Sequence, residues 1–323
     1  VRRMIENGAN TSFVHRLADD EAPLADLIRD PVAAIEHELE HGIPVVGATL
    51  PRPRAILADG IAAAAGVPLY DATSRASLLG ELGSALRETF AAGPIVAGAV
   101  TAGADSAELV TCPHDRRQRI GSVVPASPEH IAAAVTAAER AQHDWERTSG
   151  EARARILERA ADLFERDRGR LMAIAVREAG KTLEAAHGDV REAIDFLRYY
   201  AGQARRLFTG PASLRGPTGE RNTLELRGRG PFAAIAPWNF PVAIFTGQVA
   251  AALAAGNTVL AKPAEQTPIA AFLVVRLLHE AGVPPSALNL LPGGGAVGAA
   301  LVRDPRVKGI VFTGSTDTAW AIQ

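Results

Sequence analysis

The chain has 323 residues, room for about two domains. It is 47% hydrophobic and 22% charged with a formal net charge of −2, an ordinary globular balance with no basic surplus for nucleic acid and no acidic tail. The one cysteine, Cys112, excludes an internal disulfide framework and suits a reducing cytoplasm, and the longest mostly apolar run, 241–255, is broken by Thr246, Gly247 and Gln248 and is too short to span a bilayer.

Residues 1–40 are polar and helical in pattern, punctuated by Asn7-Gly8 and Asp30-Pro31, with no apolar core of signal-peptide type at the start. Residues 41–125 are rich in Ala, Gly and Pro, with turn signals at Pro51, Pro53, Gly60 and Gly66 and a helical stretch near 77–91; they read as a connecting region with some order. Within it, 97–124 alternates loosely and holds Pro113 and Gly121, as a β-hairpin or edge strand does.

From Ser127 the signals sharpen. Ser127 can cap a helix that begins at Pro128, with Glu129 placed for the helix dipole. Thr148-Ser149-Gly150-Glu151 has capping-box spacing before a second helix, 152–166, and a third spans 183–206 with Ala186, Val190, Ile194, Leu197 and Ala201 inward. Past Gly230 short apolar strands (232–236, 258–261, 288–291, 309–312) alternate with helices (242–255, 269–281, 296–302 and an unfinished one after 315). This predicts an α/β fold built on a doubly wound parallel sheet, and no internal repeat is evident. The chain opens without Met in a charged helical segment and closes on a helical pattern with no stop signal, so it reads as an internal stretch of a longer polypeptide.

The chemistry-bearing residues stand at the strand ends. Asn239, in Ala236-Pro237-Trp238-Asn239-Phe240-Pro241, carries an amide NH2 that can donate to a developing oxyanion; an isolated Asn more commonly makes a turn before a helix. Lys262 and Glu265, in Ala261-Lys262-Pro263-Ala264-Glu265, follow the second strand. A carboxylate there can accept from both ribose hydroxyls and repels a 2′-phosphate, which favours NAD over NADP; a surface ion pair is the plainer alternative. Gly293, Gly295 and Gly298 fit G-x-G-x-x-G only weakly, since they follow the third strand. Phe312-Thr313-Gly314-Ser315 is a strand–turn–helix junction able to meet a pyrophosphate, and Ser315 alone suffices as a helix cap. Cys112 precedes the whole sheet and reads as a structural thiol, and the histidines have no ligand spacing, so no metal site is expected.

Together these motifs resemble the aldehyde dehydrogenase superfamily, over about 126–323 and its first half. Arg177-Glu178-Ala179-Gly180-Lys181-Thr182, the run from Val190 to Tyr200 and Phe245-Thr246-Gly247-Gln248 look like the glutamate-semialdehyde (pyrroline-5-carboxylate) dehydrogenase module of bacterial bifunctional proline-utilization enzymes. Ala319, where many aldehyde dehydrogenases have Gly, also resembles that branch. Residues 2–14 are similar to the last helix of its flavin-dependent proline dehydrogenase barrel, with 41–125 as linker. The resemblance implies Asn239 as the oxyanion donor, and Ile235, Ala236, Pro237, Trp238, Lys262, Ala264, Glu265, Gly295, Gly298, Phe312, Thr313, Gly314 and Ser315 as the NAD site. It assigns Arg2 and Arg3 to the carboxylate of proline, Glu6 to the same substrate or the flavin site, and Glu192 to the far end of the semialdehyde. It further implies FAD in an upstream domain, and a nucleophilic Cys and general-base Glu beyond Gln323. The whole enzyme is then a cytoplasmic homo-oligomer acting on a small molecule, with peripheral membrane association and no nucleic-acid partner in this stretch. A dehydrogenase for another aldehyde and a nucleotide-binding module without activity stay open as alternatives.

Overall fold

A computed structural model describes residues 17–19, 23, 24, 28, 30–42, 61–103 and 106–323. The chain divides into two compact units, Val1–Arg52 and Pro53–Gln323. In the first, α1 (Pro31–Glu40) starts where the Asp30 carboxylate accepts from the Val32 amide at 2.9 Å and Pro31 occupies the first turn.

In the second unit α2 (Ala72–Ala85) starts five residues earlier than the pattern at 77–91 suggests. The Asp71 carboxylate accepts from the Ser74 amide at 2.7 Å and fixes its start, and Leu78, Leu82 and Ala85 turn inward. Strands β1 (Phe90–Ala92), β2 (Ile95–Val96), β3 (Ala99–Val100), β4 (Glu108–Thr111) and β5 (Arg119–Val123) follow. β4 and β5 form the antiparallel hairpin expected in this stretch, and β1 joins β5 in parallel. Residues from Ala64 to Val123 supply side chains to the main core, so this region is integral to the fold rather than a tether.

Helix α3 (Pro128–Arg147) is capped by Ser127, with His130 completing the box in place of the usual Glu: the Ser127 amide donates to His130 Nδ1 at 3.1 Å. Helix α4 (Gly150–Arg166) takes Ser149, not Thr148, as its cap. Glu151 is drawn instead to Arg155 and Arg205, at 2.9 and 2.6 Å. Helix α5 (Arg168–Ala179) is absent from the sequence reading because only Asp167 separates it from α4, with no Gly or Pro to mark the break. It ends on left-handed Gly180, and α6 (Leu183–Leu207) starts on Thr182 and buries Val190, Ile194, Leu197 and Ala201. An exposed hairpin, β6 (Ala212–Leu214) and β7 (Asn222–Leu224), precedes the alternating region.

That region runs β8 (Phe232–Ile235), α7 (Ala243–Ala254), β9 (Val259–Lys262), α8 (Pro268–Glu280), β10 (Leu288–Leu290), α9 (Gly295–Arg303), β11 (Gly309–Phe312) and α10 (Thr316–Ile322). The sheet order is β11-β8-β9-β10-β2-β3; the first four strands are parallel, and the β2–β3 hairpin closes the far edge antiparallel. Side chains of the strands alternate between two faces. Ala233 and Leu260 meet α3 and α9, whereas Ala234, Val259 and Ala261 belong to the larger core with α4, α6, α7 and α8. From β8 the chain moves one way to β9 and β10, then crosses back to β11 on the other side of β8. The gap between β8 and β11 is therefore the switch point at which open α/β sheets hold ligands. No helix among the described residues is long and apolar enough to cross a membrane.

Candidate active site

The register sets Ile235 of β8 against Lys262 of β9 and against Phe312 of β11, so the three strands end in line. Above those ends opens a cavity of about 880 Å³, within the range of small-molecule sites. Its wall includes Ile235, Ala236, Pro237, Trp238 and Asn239 at the end of β8, Lys262, Ala264 and Glu265 at the end of β9, Gly295 and Gly298 of α9, and Phe312, Thr313, Gly314 and Ser315 at the end of β11, while Gly293 lies outside it.

Lys262 is 6% exposed, and its ammonium donates to the Pro263 carbonyl at 2.7 Å rather than closing onto Glu265. Burial lowers its pKa, with the Glu265 charge opposing. The lysine stem passes Gly298, where a Cβ would lie 3.5 Å from Lys262 Cδ. The Glu265 carboxylate is exposed and stands beside Gly294, at the entrance of α9. One buried cation and one open carboxylate thus flank the same wall.

The ends of β8 and β11 are tied by a residue that the sequence motifs contain without giving it a role. Gln248, on α7, donates through Nε2 to the Ile235 carbonyl at 3.3 Å and to Thr313 Oγ1 at 3.0 Å, and the Thr313 amide donates to Ile235 O at 3.2 Å. A glutamine inside a helix buried on nearly every side is the signal that could have found it. Ser315 is engaged as the N-cap of α10, its hydroxyl accepting from the Thr318 amide at 3.2 Å. Asp317 stands in the same first turn and lines the cavity, so the positive end of this short helix already has an anion beside it.

Asn239 is exposed at the cavity wall, and among the described residues its side chain has no hydrogen-bond partner, which leaves both amide hydrogens to donate. Glu192 does not line the cavity. It lies on the exposed side of α6, its carboxyl held above the ordinary range by partial burial and by nearby Asp189, with Lys181 opposing. Cys112 is 1% exposed in the core, its sulfur 3.0 Å from His114 Nδ1 and outside the cavity wall. Arg2, Arg3 and Glu6 lie outside the described residues. Among the described residues no group of three or more His, Cys, Asp or Glu side chains is placed to hold a metal ion.

A model of the aldehyde dehydrogenase family matches residues 101–323. This chain belongs to the aldehyde dehydrogenase family. Among curated relatives it is 46% identical over 328 residues to the bifunctional protein PutA of Klebsiella aerogenes, across 100% of this chain and 24% of the relative. A crystal structure of a point mutant of Bradyrhizobium japonicum Proline Utilization A (PutA) superposes with a TM-score of 0.79 at 42% identity, covering 99% of this chain and 29% of the other. A 1-pyrroline-5-carboxylate dehydrogenase from Thermus, solved with bound NAD, superposes with a TM-score of 0.75 at 35% identity, covering 80% of this chain and 51% of the other. The chain therefore spans about a quarter of the length of the curated relatives it matches over its full extent.

Proposed function

We propose that this chain forms the NAD-binding part of a dehydrogenase that oxidises L-glutamate γ-semialdehyde, the open form of 1-pyrroline-5-carboxylate, to L-glutamate. The observation that carries this reading is the cavity at the β8/β11 switch point, which Asn239, Lys262 and Glu265 all line. The names of the relatives, PutA and 1-pyrroline-5-carboxylate dehydrogenase, supply the substrate class.

The residues present fit a dinucleotide. Glu265 offers an exposed carboxylate that accepts from a ribose diol and repels a 2′-phosphate, and Lys262 supplies a buried donor beside it. Gly295 has open space where a Cβ would stand, so α9 leaves the cavity clear. When bound, the nicotinamide accepts the hydride of the reaction. The Asn239 amide donates to the oxyanion that forms as a thiolate adds to the aldehyde carbon, which lowers the barrier only if the donor is already aimed. The aldehyde hydrogen leaves as hydride, and water then replaces the thiolate at the acyl carbon, giving the carboxylic acid and the free thiol.

The thiolate and the general base are proposed to come from sequence beyond Gln323, because Cys112 is enclosed in the core. On this reading 126–323 is the NAD-binding part and 1–40 the end of an FAD-dependent proline dehydrogenase barrel, with Arg2 and Arg3 at the proline carboxylate, Glu6 at the same substrate or the flavin site, and Glu192 near the far end of the semialdehyde. The whole enzyme is proposed to be a cytoplasmic homo-oligomer with peripheral membrane association. The test is an assay of the 323-residue chain with L-glutamate γ-semialdehyde and NAD+: it binds NAD+ and forms no NADH, and NADH production by the isolated chain contradicts the assignment.

A further inference from the structure

We infer that Lys181 and Asp189 are positioning residues for Asn239, an ion pair that clamps the four residues following it. The inference rests on Asn239 as the oxyanion donor. Asp189, on α6, is fully buried, and its Oδ1 accepts from the amide of Ala243, the first residue of α7, at 2.7 Å. That helix has no capping side chain of its own, since its N-cap is the apolar Val242. The cap therefore comes from a neighbouring helix 54 residues away.

The other carboxylate oxygen, Oδ2, faces the Lys181 ammonium at 3.2 Å. The same ammonium sits 4.0 Å from the centroid of the Phe240 ring, a cation–π contact on the residue next to Asn239. Lys181 is itself set by the turn at left-handed Gly180, where α5 ends. The pair thus grips the segment at both ends, Phe240 through the lysine and Ala243 through the aspartate, with Val242 between them buried. Asn239 is the next residue outward, on the cavity wall. Burial raises the Asp189 pKa, and the Ala243 amide, the Lys181 ammonium and the Val242 amide oppose that shift. Neither Lys181 nor Asp189 lines the cavity; Asp189 acts through the Ala243 amide and Lys181 through the Phe240 ring. An oxyanion donor works only when held within a narrow range of its productive position, which gives this clamp a consequence for chemistry beyond stability.

The test uses the 323-residue chain labelled with 15N at asparagine and alanine, with the Asn239 side-chain amide signal assigned by its loss in Asn239→Ala and the Ala243 signal by its loss in Ala243→Ser. Lys181→Met and Asp189→Asn are expected to shift or broaden that signal and to speed exchange of the Ala243 amide by about tenfold or more, the size of effect expected when a local structure opens more easily. Lys181→Arg, which keeps the cation, is expected to restore both. Should the Asn239 signal stay in place in Lys181→Met, even with lowered stability, the pair is merely structural and the inference fails. If Asp189→Asn does not fold, the Met and Arg variants at Lys181 decide the matter. Calorimetry with NAD+ on the unsubstituted chain is the separate arm: absence of binding sinks the cofactor reading, while the amide measurements still judge the clamp.

Discussion

Lys262 and Glu265 stand three residues apart at the end of β9, one buried and one open, and that difference sets what each contributes. Replacing Glu265 by Gln removes the negative charge that a 2′-phosphate meets, so the preference for NAD+ over NADP+ is expected to fall by about tenfold, read by competitive titration. Replacing Lys262 by Met removes a buried charged donor, and NAD+ binding is expected to weaken by about 1.5–3 kcal/mol in calorimetry. Both residues are legible in the sequence, because Pro263 and Pro268 bracket a short loop at a strand end and announce where they point. The tie made by Gln248 is not, since its partners Ile235 and Thr313 lie 13 and 65 residues away and only the folded sheet brings them together. The Ser315 hydroxyl serves as a helix cap, accepting from the Thr318 amide, a role compatible with the pyrophosphate contact that the turn motif implies.

Among the elements, α8 shows how a long-range cap couples packing to pH. Thr267 provides no side-chain cap, and the amides of Ile269 and Ala270 each donate to one Glu178 oxygen, both at 2.8 Å, from α5. Burial pushes the Glu178 pKa up to about 8, with those two amides opposing. A carboxyl whose folded pKa is raised binds its proton more tightly in the folded state. Its contribution to stability is therefore complete below about 4.5, the unfolded value, and is lost as pH rises through about 8. The urea midpoint is expected to fall between pH 5 and pH 9 in the natural chain, and Glu178→Gln is expected to flatten that slope. A second expectation concerns the seam of α6 and α7. A Cβ at Gly247 would lie 2.9 Å from the Phe196 ring, so Gly247→Leu is expected to cost about 1–3 kcal/mol of unfolding free energy through overpacking, read in the same urea titration. The strands and helices after Gly230 are legible because apolar runs, glycines and prolines alternate there. α5 and the β6–β7 hairpin are not: α5 follows α4 at Asp167 without a break signal, and β7 and β6 are exposed short strands with little apolar pattern to mark them.

Across the whole molecule, one sheet order explains why the motifs converge. Residues from 235 to 315 share a wall only because β11 returns beside β8 instead of extending the sheet past β10. The linear motifs imply that crevice, but not the β2–β3 hairpin that completes the far edge, whose place depends on contacts such as the Ala97 amide donating to Asn289 Oδ1 at 2.8 Å. The measurement that bears most directly on the account is a calorimetric titration of the 323-residue chain with NAD+ and, separately, NADP+. Saturable binding at one site, tighter for NAD+ and weakened by Lys262→Met, is the predicted result. No saturable heat with either dinucleotide, or binding indifferent to substitutions at Lys262 and Glu265, would contradict it.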